Sequence, residues 1–237
     1  MDELLYMIDA SFQRSNIRLS AGQKEQFKIY CNFLLEYNEK VNLTALTQKQ
    51  EIVDMHFADS LAAMNLPELV HGAVCADVGT GAGFPGVPLA IARPDIQVTL
   101  IDSLKKRLVF LDELKIKLGL HNIYTVHGRS EDLAHTKELR EKFDCVFSRA
   151  VARVNVLSEY VLPFVKTGGY MLAWKGPAFA QELDEAKNAL KELGAAVENI
   201  YTADLEDRQH FIVAVKKFRA TQQKYPRQAG TPKKNPL

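Results

Sequence analysis

The densest chemical signal in the chain is a run of ten residues, Asp77-Val78-Gly79-Thr80-Gly81-Ala82-Gly83-Phe84-Pro85-Gly86. It follows a short apolar stretch, Ala73 to Val78, that reads as a strand, and Pro85 stands where a helix can begin. Glycines permit a tight turn and let a ligand come close to the backbone. The N–H groups at the start of the following helix would face that ligand. Asp102 ends the next apolar run, Gln97 to Ile101. A carboxylate at that point can accept both ribose hydroxyls of a nucleoside.

Two nucleoside cofactors compete for such a loop. Gly81-x-Gly83-x-x-Gly86 formally fits the dinucleotide fingerprint of NAD enzymes. Asp77-x-Gly79-x-Gly81-x-Gly83 fits the loop that holds S-adenosylmethionine (SAM) better. A carboxylate such as Asp77 suits a cationic methionyl group, whereas beside a pyrophosphate it would repel. The plain alternative is a glycine-rich turn with no ligand, and the strand–loop–helix context together with Asp102 speaks against it.

The elements that must position this loop follow from the hydrophobic pattern. Residues 1–66 read as helices: Phe27, Tyr30, Cys31, Leu34 and Leu35 keep helical spacing, Ser20 is a candidate N-cap, and a second helix starts near Gln48. From residue 73 onward short apolar runs alternate with amphipathic stretches. The runs are Ala73–Val78, Gln97–Ile101, Asn122–Val126, Phe143–Ser148 and Tyr170–Trp174. The stretches are Leu104–Leu118, Val154–Val165 and Phe179–Leu193. Such alternation predicts βαβ units in a mostly parallel, doubly wound α/β sheet. Ala196–Thr202 and Phe211–Val215 have no helix between them and predict an antiparallel C-terminal hairpin at one sheet edge, which suits the methyltransferase variant of a Rossmann-like fold. The expected organisation is a helical extension over 1–66, a SAM-binding domain over 67–219 and a basic, proline-containing tail over 220–237, extended and flexible unless something binds it.

Composition bounds the rest. The chain has 237 residues, 47% hydrophobic and 25% charged, which is ordinary for a globular protein. Cys31, Cys75 and Cys145 form no CxxC pair, so neither a disulfide framework nor a zinc site is expected. The acidic Met1-Asp2-Glu3 start does not fit a signal peptide, and Val78–Ala92, the longest uncharged run, holds four glycines and two prolines. The expectation is a cytoplasmic protein with no membrane span and no metal, and nothing demands more than a monomer. Net charge is +1, but from Arg208 onward there are eight Lys/Arg and no acid, which leaves the preceding residues at net −7. A basic tail on an acidic body suggests an anionic partner for the tail, or else a merely solubilising tail.

Further motifs are spread along the chain: Asn42-Leu43-Thr44, His56-x-x-Asp59-Ser60, the loop Asp77–Gly86, and Asp102-Ser103 with Lys105-Lys106-Arg107. Then come Gly128-Arg129-Ser130-Glu131, Ser148-Arg149-Ala150-Val151-Ala152, Lys175-Gly176, and Tyr225-Pro226-Arg227 followed by Gly230-Thr231-Pro232-x-Lys234-x-Pro236-Leu237. In this order they resemble the RsmG family, also called glucose-inhibited division protein B, over nearly the whole chain. The resemblance implies a SAM-dependent methyltransferase acting on N7 of one guanine in bacterial 16S ribosomal RNA, guanine 527 by the family's convention. It places cofactor-binding positions on Gly79, Phe84, Ser130, Glu131 and Arg149, with Ser130–Glu131 bordering the adenine. Asp77, Gly81, Gly83 and Asp102 join them from the loop chemistry above.

Guanine N7 has an in-plane lone pair and loses no proton on methylation, so an in-line SN2 transfer needs placement rather than a general base. The absence of an Asn-Pro-Pro-Tyr or Pro-Cys motif agrees with this, and Cys145 reads as a buried structural thiol. Arg149 and Lys175 end adjacent strands at the edge where such folds bind substrates, and both are candidate catalytic residues. Arg149 would orient either the methionyl carboxylate or the guanine. His56 is expected to order the N-terminal helices over the pocket, with core hydrogen bonding for Asn42 and Asp59. Lys105, Lys106 and Arg107 begin a helix, where cations oppose its dipole, and are candidate RNA-phosphate contacts together with Arg129, Arg227 and Lys234. Tyr225 would stack on an unpaired base. The partner expected is 16S rRNA or the small ribosomal subunit. Other readings are a methyltransferase for another acceptor, a SAM-sensing RNA-binding assembly factor and, least supported, an NAD oxidoreductase.

Overall fold

The structure, a computed structural model, describes residues 2–205 and 208–237, with backbone alone at 204, 205, 208 and 209. Its centre is a seven-stranded sheet in the order β3-β2-β1-β4-β5-β7-β6. The strands are β1 (Val74–Val78), β2 (Gln97–Asp102), β3 (Ile123–His127), β4 (Phe143–Arg149), β5 (Val165–Lys175), β6 (Ala195–Leu205) and β7 (Arg208–Lys217). The first five pair in parallel, and β7 runs antiparallel to both β5 and β6. Parallel neighbours require crossovers over the faces. These are α5 (Gly86–Ala92), α6 (Lys105–Leu118), the short α7 (Ser130–Leu133) and α8 (Val154–Val161), followed by α9 (Phe179–Glu185) and α10 (Lys187–Leu193). The parallel sheet, the hairpin and the helix-first order all agree with expectation.

The N-terminal helices α1 (Glu3–Arg14) and α2 (Ala21–Asn38) lie on one face. Ser20 caps α2 in a reciprocal box with Gln23, which satisfies two otherwise orphaned backbone donors. After it comes α3 (Lys49–Ile52), a π-helical turn over Val53–Ala58, and α4 (Asp59–Leu61). Phe12, Phe27, Phe57, Tyr30 and Phe84 form a chain of ring contacts from α1 to the glycine loop. The extension and that face of the sheet therefore share one apolar core.

Two helical stretches differ from expectation. The stretch expected as a helix to Val165 ends at Val161, because Pro163 cannot continue it. Buried Lys217 then takes up the carbonyls of Leu162 and Val165 and pairs with Glu141. Phe179–Leu193 is two helices with a corner at buried Ala186. α9 is tied by Glu182 to Lys175 and to the N–H of Val154, while α10 packs on α8 and β6.

The tail is not loose. Arg140 donates to the carbonyls of Thr221, Gln222 and Tyr225, and the chain ends in a short turn, α11 (Thr231–Lys234). The charges and prolines predict a tail that is flexible unless bound, because they offer no core of their own. The body supplies the hydrogen-bond partners instead. Among the described residues no helix is long and apolar enough to cross a membrane, and no cluster of His, Cys, Asp or Glu is set to hold a metal ion.

Candidate functional site

Strand order reverses between β1 and β4, and open α/β sheets bind ligands at the carboxyl ends beside that point. A cavity of about 770 Å³ lies there. Along the edge it is bounded by Gly128–Glu131 after β3, Asp102, Ser103 and Arg107 after β2, and Val78–Ala82 with Phe84 after β1. Arg149–Val151 after β4 close the edge, and Leu43, Thr44 and His56 come from the N-terminal extension.

The loop is held from beneath. Asp77 is fully buried, and its Oδ2 accepts from Thr80 Oγ1 and from the N–H of Gly86, both at 2.8 Å. Burial pushes its carboxyl up to about 6. Tyr30 donates to the carbonyl of Ala82 at 2.5 Å. Gly79 has φ +74°, and a Cβ there would meet Val151 at 2.6 Å, so only glycine leaves the β1 and β4 loops this close. Gly83 has φ +102° and faces Tyr30 and Leu111, away from the cavity. Asp102 is buried in the cavity wall; it accepts from the N–H groups of Gly81 and Leu104 and from Arg107 Nη1 at 3.2 Å.

The other end is a polar cluster. Arg149 Nη1 donates to Asp59 Oδ2 at 2.8 Å and to the carbonyl of Met55, and its Nη2 donates to His56 Nδ1 at 2.9 Å. Asp59 also meets His210 Nδ1 at 2.9 Å, and its carbonyl accepts from Trp174 Nε1. The guanidinium lies over the Phe84 ring, on which His56 stacks at 4.3 Å. Burial and the neighbouring Arg149 pull His56 down to about 3, so its ring is neutral.

Of the expected site residues, the fold brings Gly79, Gly81, Phe84, Asp102, Ser130, Glu131 and Arg149 to this cavity, with Arg107 and Arg129. Lys105 and Lys106 are exposed beside it in the first turn of α6, and Lys234 is exposed on α11. Others need correction. Asp77 and Gly83 build the loop without lining the cavity, because Asp77 turns inward to close it and Gly83 packs on the helical extension. Lys175 is at the expected edge, but its Nζ is spent on the carbonyl of Ala152 and on Glu182, which holds the β4 loop from behind. Tyr225 is 4% exposed, so it does not present a ring for stacking. Arg227 is clamped on the buried Glu159. Cys145 is buried, as expected.

Sequence reasoning missed Thr80, Tyr160, Gly230 and Lys233 as cavity residues. Thr80 lies within the loop and could have been named with it. Gly230 and Lys233 arrive from the tail, whose path depends on Glu131 accepting the N–H of Gly230.

The cavity fits a nucleoside cofactor: its volume is in the usual range for such sites, and the Asp102 carboxylate and glycine backbone line its wall. This strand order, with the antiparallel end and the cavity at the reversal, defines a Rossmann-like SAM-dependent methyltransferase. M. jannaschii TYW2, solved in complex with AdoMet, has the same fold at TM-score 0.53 and 14% identity, over 68% of this chain and 77% of that one.

Residues 23–212 match the family described as GidB, rRNA small subunit methyltransferase G, and the chain belongs to that family. It is 51% identical over 227 residues to the Ribosomal RNA small subunit methyltransferase G of Desulfitobacterium hafniense (strain Y51), covering 95% of this chain and 94% of that protein. It is 46% identical over 237 residues to the protein of the same name from Alkaliphilus oremlandii (strain OhILAs), covering 99% of each. The cofactor is SAM.

Proposed function

We propose that the chain transfers the methyl group of SAM to N7 of one guanine in 16S rRNA. The observation that carries this reading is the make-up of the cavity: a cofactor cradle at one end and, at the other, a cluster in which, among the described residues, His56 and Asp59 are both already engaged. His56 is neutral, but both ring nitrogens are already bonded, to Arg149 and to Thr44. Asp59 is enclosed by Arg149 and His210. With the bases at that end engaged, the site suits an acceptor that already has a lone pair and no proton to lose. The names of the family and of its relatives support ribosomal RNA as the acceptor.

When bound, SAM supplies a methyl group already activated by a sulfonium. Asp102 would hold its ribose, with Arg107 turning aside from the 3.2 Å contact it now makes. Ser130 and Glu131 would border the adenine, and the backbone of Gly79 and Gly81 would run along the chain that follows. Arg149 acts as a positioning residue: paired with Asp59 and lying on Phe84, it fixes the extension against the β4 loop. Lys105, Lys106, Arg129, Lys233 and Lys234 would meet RNA phosphates around the mouth.

The test is incubation with SAM and hypomethylated small-subunit RNA, free and in the ribosomal particle, followed by nucleoside mass spectrometry. The expected product is 7-methylguanosine, lost in Arg149→Ala. SAM binding without any methylated product on either substrate would point to a cofactor-sensing RNA-binding protein, and a different methylated nucleoside would overturn the acceptor.

A further inference from the structure

One hydrogen-bond chain in the site has a direction that its chemistry cannot reverse. A guanidinium carries donors and no acceptor, so His56 Nδ1 must accept from Arg149 Nη2. The proton of the neutral ring is therefore on Nε2, which donates to Thr44 Oγ1 at 2.8 Å. The N–H of Leu46 donates to the same oxygen at 3.1 Å. A hydroxyl has two lone pairs and one proton. Both lone pairs of Thr44 are occupied, and its proton is what remains. Among the described residues no protein acceptor takes that proton, and Thr44 lines the cavity. The backbone around it is fixed as well, since Asn38 Oδ1 accepts from the N–H groups of Leu43 and Thr44 and Asn38 Nδ2 donates to the carbonyl of Thr44.

The cavity thus presents, beside Phe84 and His56, a hydroxyl that can donate and cannot accept. Along the sheet edge this is the β1–β4 end, away from Ser130 and Glu131 after β3. A cofactor with its adenine at Ser130–Glu131 and its ribose at Asp102 has its reacting end there. The purine edge next to N7 differs between the two bases: guanine offers the acceptor O6, and adenine offers the amino donor N6. We propose that the Thr44 hydroxyl donates to O6 of the target guanine and so selects guanine over adenine. This rests on the guanine-N7 reading above. An adenine in the same place would set donor against donor, and Thr44 cannot relieve the clash by rotating, because Arg149 and His56 hold the chain in one sense. A site built to bond one group rejects the analogue that lacks it more strongly than an apolar pocket does.

The test compares wild type, Thr44→Val and Thr44→Ser on small-subunit RNA carrying either guanine or 2-aminopurine at the target; 2-aminopurine keeps N7 and lacks O6. Calorimetry measures SAM affinity alongside kcat/KM. Thr44→Val is expected to lose about tenfold in kcat/KM on the guanine RNA, the factor for one hydrogen bond, and to lose little further on 2-aminopurine RNA. Its SAM affinity should stay within about twofold of wild type, and Thr44→Ser should restore the guanine rate. Equal losses on the two RNAs would overturn the proposal. So would a matching loss of SAM affinity, which would assign the hydroxyl to the methionyl carboxylate. Wild type that forms no 7-methylguanosine refutes the functional reading, and this proposal with it. Wild type that forms it while Thr44→Val shows equal losses refutes the Thr44 role alone.

Discussion

Arg227→Ala separates two accounts of the tail. Glu159 is fully buried on α8, and one carboxylate serves the backbone N–H of Arg227 at 2.7 Å, Nε at 2.9 Å and Nη2 at 2.6 Å. Arg227 Nη2 also reaches the carbonyl of Asn235, closing the tail on itself. Alanine keeps the backbone contact and removes the rest, leaving a buried carboxylate without its cation. Breaking such a pair costs about 3–5 kcal/mol, on the order of 10 °C in Tm for a chain of this size. The protein can lower that cost by lifting the tail and wetting Glu159, but then Gly230 leaves Glu131 and Lys233 leaves the cavity wall. If the tail stays in place, denaturant unfolding should show lost stability; if it lifts, limited proteolysis should cut after residue 220 and calorimetry should show weaker SAM binding. Replacing both partners with Glu159→Leu and Arg227→Met should recover much of the stability, since an apolar pair carries no stranded charge. If Arg227→Ala keeps wild-type stability and SAM affinity and loses only RNA affinity, the clamp is not what holds the tail, and Arg227 faces RNA instead.

Three shorter predictions concern the same cavity. His56 is pulled from 6.5 to about 3, so between those values the unfolded chain takes a proton that the folded one refuses. Its contribution to stability is therefore fully present above about pH 6.5 and is lost as pH falls, on the order of 4–5 kcal/mol by pH 3; urea unfolding of His56→Gln should show a flatter acid limb, and an unchanged slope would count against it. Asp102→Asn should weaken SAM binding by about 1–2 kcal/mol in calorimetry, and an unchanged affinity would remove Asp102 from the ribose. Lys233→Gln with Lys234→Gln should reduce the slope of log K against log salt for RNA binding by roughly 1.4–1.8; an identical slope would take α11 out of the interface.

The sheet was legible because its strands are short apolar runs punctuated by Gly, Pro and Asp, and the central runs β1, β2, β4 and β5 are mostly buried. The start of β5 was hidden because Lys166, Thr167, Gly168 and Gly169 dilute the apolar signal, although Gly169 is packed against the carbonyl of Asp144. In the site, Gly79, Asp102 and Arg149 were legible because strand-end position alone brings a residue to the carboxyl edge. Lys175 satisfied the same rule and fails as a catalytic candidate, since strand-end position does not say whether a long side chain turns toward the ligand or under the loop. Its partner Glu182 is seven residues away on α9, and no spacing rule couples the two. Thr44 and His56 were visible as a motif, but their joint polarity was not. It depends on Arg149, about a hundred residues further on, reaching His56 through the fold.

The charge asymmetry has a related resolution. A body of net −7 and a tail of only cations imply an anionic partner, and a good part of that partner is the body itself. Glu141 takes Lys217 and the N–H of Thr221, Glu159 takes Arg227, Glu131 takes the N–H of Gly230, and Glu192 takes the Tyr225 hydroxyl. Composition counts charges without saying which are already paired, so it overstates the number offered to an outside anion. Lys224, Lys233 and Lys234 stay exposed in the tail, and Lys105, Lys106 and Arg129 stay exposed on the sheet side of the mouth. Because Lys233 lines the same cavity as Arg129, the exposed tail cations at α11 are held at the cavity rather than on a loose arm. RNA gripped by both groups would then lie across the cavity mouth, which is where a nucleotide must be to present one base to a methyl group inside.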